Sequence, residues 1–256
     1  MSNDGPLKIG EREFTSRLIM GIGKYADLSV MQEALAASGT QFVTYPVRRM
    51  KIEGQPEKTL LDYIDRDRYT IMPNTAGCYT AEEAIRALHL AREDGLDDGM
   101  VKLEVLSDER TLLPEPIETL KATETLVKEG FTVLVYTSDD PIIARRLQDL
   151  GATSVMPAGS PIGSGQGVLN RNNIRIIMET ATVPIILDAG VGTASDVAVA
   201  MELGVDAVLV NTGVAHAKDP VAMAAGMRYG TEAGRMAYLA GRIPRKLYAK
   251  AGSAEE

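Results

Sequence analysis

Cysteine is nearly absent: of 256 residues, only Cys78 carries a thiol. That excludes a disulfide framework and any metal site built on cysteines, and it suits a reducing cytoplasm, where the chain is expected to work. Histidine is scarce as well, and neither His89 nor His216 lies near Cys78 in sequence, so a cysteine nucleophile with a neighbouring base is not indicated. Positive charge is in deficit, with a formal net charge of −8. Non-specific nucleic-acid binding needs a basic face and is therefore not expected, whereas an anionic ligand held by a few local donors is compatible with this balance. Long apolar runs are missing too. No stretch approaches the roughly 18 residues of a membrane-spanning helix, so no membrane role is expected. The start, Met1-Ser-Asn-Asp-Gly-Pro6, has no apolar core of the kind a signal peptide needs. No long linker or shift in composition divides the chain. Residues 1–250 are expected to form one domain, followed by a small, acidic, disordered tail at 251–256.

What the chain does have is alternation. Eight short apolar runs occur at Arg17–Gly23, Gln41–Val47, Thr70–Asn74, Met100–Val105, Thr132–Thr137, Ser154–Ala158, Pro184–Ala189 and Ala207–Asn211. Helix-length segments separate most of them, at Asp27–Ser38, Ala81–Asp94, Glu115–Glu129, Asp139–Leu150, Asn172–Thr180 and Thr193–Leu203, and Pro220–Tyr238 closes the series. Near-continuous apolar strands alternating with helices imply a parallel sheet covered on both faces. Eight such units in about 250 residues predict an α/β fold, the (β/α)8 TIM barrel, with a doubly wound open sheet as the competing architecture. The segment Leu7–Phe14 alternates apolar and polar residues around Gly10-Glu11-Arg12, which predicts a short N-terminal hairpin plugging the barrel bottom.

The fourth run, Val101-Lys-Leu-Glu-Val105, places two charges in a strand that otherwise reads as buried. A buried charge is costly unless it is paired or put to use. Side chains alternate along a strand, so Lys102 and Glu104 share one face while Val101, Leu103 and Val105 share the other. A lysine beside an acid–base group at the end of a barrel strand suggests a Schiff base with a carbonyl substrate. Glu104 and Asp188, at the end of the seventh run, are the candidates to move protons or to balance the lysine's charge. The opposing influences of burial and of neighbouring carboxylates on the lysine pKa are left open by the sequence.

Active sites of barrels lie at the C-terminal ends of the strands, and three consecutive ends here are rich in glycine: Gly159–Gly167, Ala189–Thr193 and Asn211–Gly213. Such turns let backbone approach an anion and turn N–H groups toward it, and a helix starting near Thr193 would add its positive end. They predict a phosphorylated ligand; tight strand-to-helix turns are the plainer reading. Asn74–Gly77 ends the third run, and Arg48 and Arg49 follow the second on the catalytic side. Ser138, Asp139 and Asp140 before Pro141 read as a helix cap. His89 is expected to be exposed or packed, and His216, which follows the eighth run, is not expected to take a direct part even where it lies near the phosphate. The basic stretch Gly241–Tyr248 is expected to cover the site, contact a partner or pack on the barrel.

Taken together, several stretches resemble the thiazole synthase family of bacterial thiamin biosynthesis. They are Pro73–Glu83, Val101–Val105, Tyr136–Pro141, Met156–Gly167 and Ala237–Tyr248, and the likeness runs from about Leu7 to Ala249. The resemblance implies a sulfur-incorporating transferase. It would join 1-deoxy-D-xylulose 5-phosphate, dehydroglycine and sulfur into a thiazole phosphate carboxylate, the sulfur arriving as a C-terminal thiocarboxylate on a ubiquitin-like carrier protein. It implies Lys102 as the Schiff-base lysine and Glu104 and Asp188 as acid–base residues. Gly163, Ala189, Gly190, Asn211 and Thr212 become the sugar-phosphate contacts, in a homo-oligomer, often a tetramer, with no metal and no cofactor. A Schiff-base aldolase or lyase on a similar sugar phosphate, or a catalytically silent barrel that binds the carrier, are the alternatives. One stretch departs from the family pattern: Thr44-Tyr-Pro-Val-Arg-Arg49 puts a proline in a central strand and is expected to bring the Tyr45 hydroxyl near the barrel mouth.

Overall fold

The computed structural model describes residues 4–49, 51–52, 55–96 and 99–249. An antiparallel pair opens the chain, β1 (Leu7–Ile9) with β2 (Arg12–Phe14). Eight parallel strands follow: β3 (Leu18–Gly21), β4 (Phe42–Pro46), β7 (Thr70–Asn74), β8 (Met100–Leu103), β9 (Thr132–Thr137), β10 (Ser154–Pro157), β11 (Ile186–Asp188) and β12 (Ala207–Val210). Between β4 and β7 lies a second antiparallel pair, β5 (Lys51–Ile52) with β6 (Gln55–Thr59), which alternation alone does not reveal. The helices are α1 (Leu28–Ser38), α2 (Ala81–Glu93), α3 (Pro116–Lys128), α4 (Pro141–Asp149), α5 (Arg171–Thr180), α6 (Ala194–Glu202), α7 (Thr212–Ala215) and α8 (Pro220–Ala240).

The parallel strands hydrogen-bond in the order β10-β9-β8-β7-β4-β3-β12-β11. The two ends of that series meet. Val155 N donates to Pro184 O at 3.2 Å, Gly159 N donates to Asp188 O at 3.1 Å, and Ala158 pairs with Asp188. The sheet is therefore a closed barrel rather than an open doubly wound sheet, which leaves no edge strand to protect.

Alternation along each strand sorts the residues into two layers. Val101, Leu103 and Val105 face outward, with Val133 and Val135, into an apolar layer shared with the helices. Each fully buried side chain of this kind stabilises the fold by about 1.5–3 kcal/mol. The inward residues of the lower barrel are apolar and come from every strand: Ile19, Phe42, Met72, Met100, Leu134, Met156, Ile186 and Leu209. Leu7, Ile9 and Phe14 of the N-terminal hairpin pack into the same cluster, with the Phe14 and Phe42 rings stacked at 5.0 Å. The hairpin is thus the expected plug. One turn further up, the inward positions become polar, and this change of layer places the site.

Helix starts follow their sequence signals. The Asp140 carboxylate caps α4 by accepting from Ile142 N, with Pro141 at the first helical position. The tail expected to be disordered at 251–256 lies outside the described residues.

Candidate active site

Lys102 and Glu104 project into the barrel from the end of β8, and Asp188 projects from the end of β11 across the interior. All three are buried, with 5%, 4% and 3% exposure. Lys102 Nζ lies 2.5 Å from Asp188 Oδ2 and 3.7 Å from Glu104 Oε2. The ring of Tyr136, inward on β9, stands 5.5 Å from the same nitrogen. The backbone around the pair is fixed from β7: Thr75 Oγ1 donates to Glu104 O and accepts from Glu104 N, both at 2.7 Å. Asn74, in register with Lys102, donates through Nδ2 to Thr44 Oγ1 at 2.9 Å. A lysine with two buried carboxylates can cycle between ammonium and amine without protons from solvent.

Burial pulls the Lys102 pKa down, but the charges and hydrogen bonds of Asp188 and Glu104 outweigh it, and the value is raised above the ordinary 10.5. The resting side chain is therefore a cation that must pass a proton on before it can act as a nucleophile. Burial, reinforced by the same carboxylates, also raises the Tyr136 phenol above its usual 10.0. Both shifts have one consequence for stability. Below about pH 10 each group is protonated in both the folded and the unfolded chain, and the full stabilisation is present. As pH climbs past the unfolded values toward the raised folded ones, the unfolded chain releases protons first and stability falls. Urea denaturation midpoints should thus drop steeply above pH 10, and less steeply in a Lys102→Met variant; equal slopes would contradict the pairing.

Above the lysine opens a cavity of about 440 Å3. Lys102, Glu104, Asp188, Gly163, Ala189, Gly190, Asn211 and Thr212 all line it, so the residues selected from four separate strand ends share one wall system. The glycine turns also grip one another. A Cβ on Gly190 would sit 1.9 Å from Ser160 Oγ and 2.6 Å from Ser160 N, and one on Gly213 would sit 2.3 Å from Val191 O. Ala189 holds φ +66° and Gly190 φ +77°, a left-handed pair that carries the chain around the end of β11. Asn211 Oδ1 is buried with no partner among the described residues. Gly190→Ala should cost about 2–4 kcal/mol through overpacking at a positive φ. It should also raise the KM for a phosphorylated substrate at least tenfold; an unchanged denaturation midpoint would show that the turn can yield.

The start of α6 differs from the expectation. Gly192 N and Thr193 N donate to the Asp196 carboxylate at 3.0 and 3.1 Å, so the first N–H groups of that helix are already engaged by an anion of the protein. Donors for a phosphate are better sought at the left-handed turn after β11 and at Thr212 and Gly213, whose N–H groups begin α7 and have no acceptor within it.

Comparison with known proteins decides the family. The model of the thiazole biosynthesis protein ThiG matches residues 8–254. The chain belongs to the ThiG family. A thiazole synthase of Geobacter sp. (strain M21) is 61% identical over 247 residues, covering 96% of this chain and 95% of that protein. A thiazole synthase of Azotobacter vinelandii is 58% identical over 254 residues, 98% and 96% of the two chains. Among solved structures, the BexX/CysO complex of Amycolatopsis orientalis matches with a TM-score of 0.84 at 31% identity, over 96% of this chain and 100% of that one. The activity is accordingly that of a thiazole synthase, a sulfur-transferring enzyme of thiamin biosynthesis.

Within this ThiG-family barrel, several expected positions fall outside the cavity. Tyr45 points outward into the helix layer, fully buried, and its hydroxyl donates to Leu96 O. The expectation of a hydroxyl at the barrel mouth is thereby corrected: two-residue alternation sends Thr44 and Pro46 inward and Tyr45 out. Pro46 is the last residue of β4, where losing a donor costs the ladder little, and it lines the cavity. Arg48 is not among the cavity-lining residues; it donates to the carbonyl of Gly77, which is, and stands 3.8 Å from Glu83; the side chain of Arg49 lies outside the described residues. Cys78 is buried in the helix layer, and desolvation pushes its thiol up to about 11, which suits packing. His89 bonds Glu129 at 2.7 Å and stacks on Phe131, whereas His216 lines the cavity. The stretch Gly241–Tyr248 is exposed, and none of its residues lines the cavity. Lys24, Tyr79, Leu112 and Ile162 also line the cavity and were not singled out in the sequence; they sit in loops, where no periodicity marks them.

Proposed function

We propose that the chain builds the thiazole phosphate carboxylate from 1-deoxy-D-xylulose 5-phosphate, dehydroglycine and sulfur delivered as a thiocarboxylate on the C-terminus of a ubiquitin-like carrier protein. The observation that carries this reading is the buried lysine between two carboxylates on the floor of a cavity walled by interlocked glycine turns. Lys102 gives a proton to Asp188, and the freed amine adds to the sugar ketone. The ammonium and the ketone together yield one protonated imine and one water. Glu104 and Asp188 then carry the protons that tautomerisation and sulfur entry require. Gly163, Ala189, Gly190, Asn211 and Thr212 hold the phosphate, and binding at that remote end fixes the ketone over Nζ.

The solved relative named as a complex of two proteins, at 31% identity, supports a protein partner. Among the described residues no helix is long and apolar enough to cross a membrane. The enzyme of this reading works in the cytoplasm as a homotetramer. The test is reconstitution with the sugar phosphate, dehydroglycine and the thiocarboxylated carrier, followed by mass spectrometry of the product. The thiazole phosphate carboxylate should form only with all three. Cleavage of the sugar phosphate with no sulfur donor present would instead identify an aldolase or lyase.

A further inference from the structure

Tyr136 occupies an inward position of β9, two residues beyond Leu134, which pairs in register with Lys102. Its ring faces Lys102 Nζ at 5.5 Å, and the residue is fully buried. Around it are Leu106 and Ala158, with Tyr79, Leu112, Ile162 and Ala189 packed against the cluster; all of these but Ala158 form the cavity wall beside the lysine. In this apolar setting the phenol oxygen has no hydrogen-bond partner among the described residues. A buried hydroxyl left unpaired lowers stability, so a fold that keeps one next to its reacting lysine calls for an explanation. Phenylalanine would fill the same space without that cost.

We infer that Tyr136 is a further residue of the reacting centre, whose hydroxyl donates a hydrogen bond to the substrate's ketone oxygen as Lys102 adds to the carbon. The inference rests on the Schiff-base reading above. When the C–N bond forms, the carbonyl π electrons move onto oxygen, and a donor fixed in a water-poor site stabilises that charge without reorganising. The oxygen takes its protons from the acid–base pair and leaves as water, while the phenol keeps its own proton throughout. Asp188 and Glu104 favour this role, because their charges and the burial of the ring hold the phenol protonated. The missing partner in the free site is then supplied by substrate.

The experiment is a rapid-quench borohydride trap with 1-deoxy-D-xylulose 5-phosphate, read by intact mass, on wild type, Lys102→Ala and Tyr136→Phe, with kcat, KM and urea midpoints for each. Wild type should form the adduct and Lys102→Ala should not. Tyr136→Phe should trap about 100-fold more slowly, the loss expected for one such donor. Its KM should stay within about threefold, and its urea midpoint should be equal or higher, since an unpaired buried hydroxyl has been removed. A trapping rate within about twofold of wild type would overturn the role of Tyr136 alone. A slower rate accompanied by a lowered midpoint would overturn it too, as a packing effect. No adduct on wild type would overturn the inference together with the Schiff-base reading.

Discussion

Lys102→Ala should abolish thiazole formation, lowering turnover by a factor of about 10^4 or more, as removal of a covalent nucleophile does. It should also destabilise the fold. The ammonium is the shared counter-charge of two buried carboxylates, 2.5 Å from Asp188 and 3.7 Å from Glu104. Taking it away leaves two like charges facing each other in a dry interior, at a cost of about 3–5 kcal/mol at neutral pH. One of the carboxylates must then take up a proton, so part of the lost stability should return on acidification. Urea denaturation of the variant at pH 5 and pH 7.5 checks this directly: its deficit against wild type should shrink at the lower pH. Turnover within tenfold of wild type would remove Lys102 from the mechanism.

Asp188→Asn should separate binding of the ketone from the chemistry that follows. The substitution keeps the shape and removes the nearer of the two charges that hold the lysine protonated. Burial, which pulls the lysine pKa down, then meets less opposition, so Lys102 should lose its proton at lower pH than in wild type. Imine trapping should accordingly persist and set in at a lower pH. Turnover should still fall by about 10^2–10^4-fold, because the proton carrier at that position is gone. Trapping whose onset moves to higher pH, or turnover that survives, would show that Asp188 acts in some other way.

Much of this was legible in the chain itself, for physical reasons that differ from element to element. The barrel strands were readable because a strand buried on both faces must be apolar throughout, and eight such runs alternate with amphipathic segments. The shared face of Lys102 and Glu104 followed from two-residue alternation. Their contact with Asp188 did not: β8 and β11 lie three strands apart around the barrel, and only closure between β10 and β11 brings the side chains together. Alternation also held a signal that went unread, since Tyr136 lies on the inward face of β9 with Leu134. Applied to Tyr45, it would have sent that hydroxyl outward. The start of α6 carried its own cap in Thr193-Ala-Ser-Asp196, and that carboxylate engages the donors which the turn alone seemed to offer to a phosphate. The loop residue Leu112 gave no signal, because neither period nor composition says which loops fold over a barrel mouth; Ile162 was marked only through the glycine-rich turn that holds it.

The central claim is that Lys102 forms an imine with a sugar-phosphate ketone. Its most direct test is the intact mass of the protein after incubation with 1-deoxy-D-xylulose 5-phosphate and borohydride, beside a Lys102→Ala control shown to be folded. A single reduced adduct on wild type, localised to Lys102 by peptide mapping and absent from the control, is the expected result. An unmodified wild type, or an adduct that persists in the control, would contradict the account.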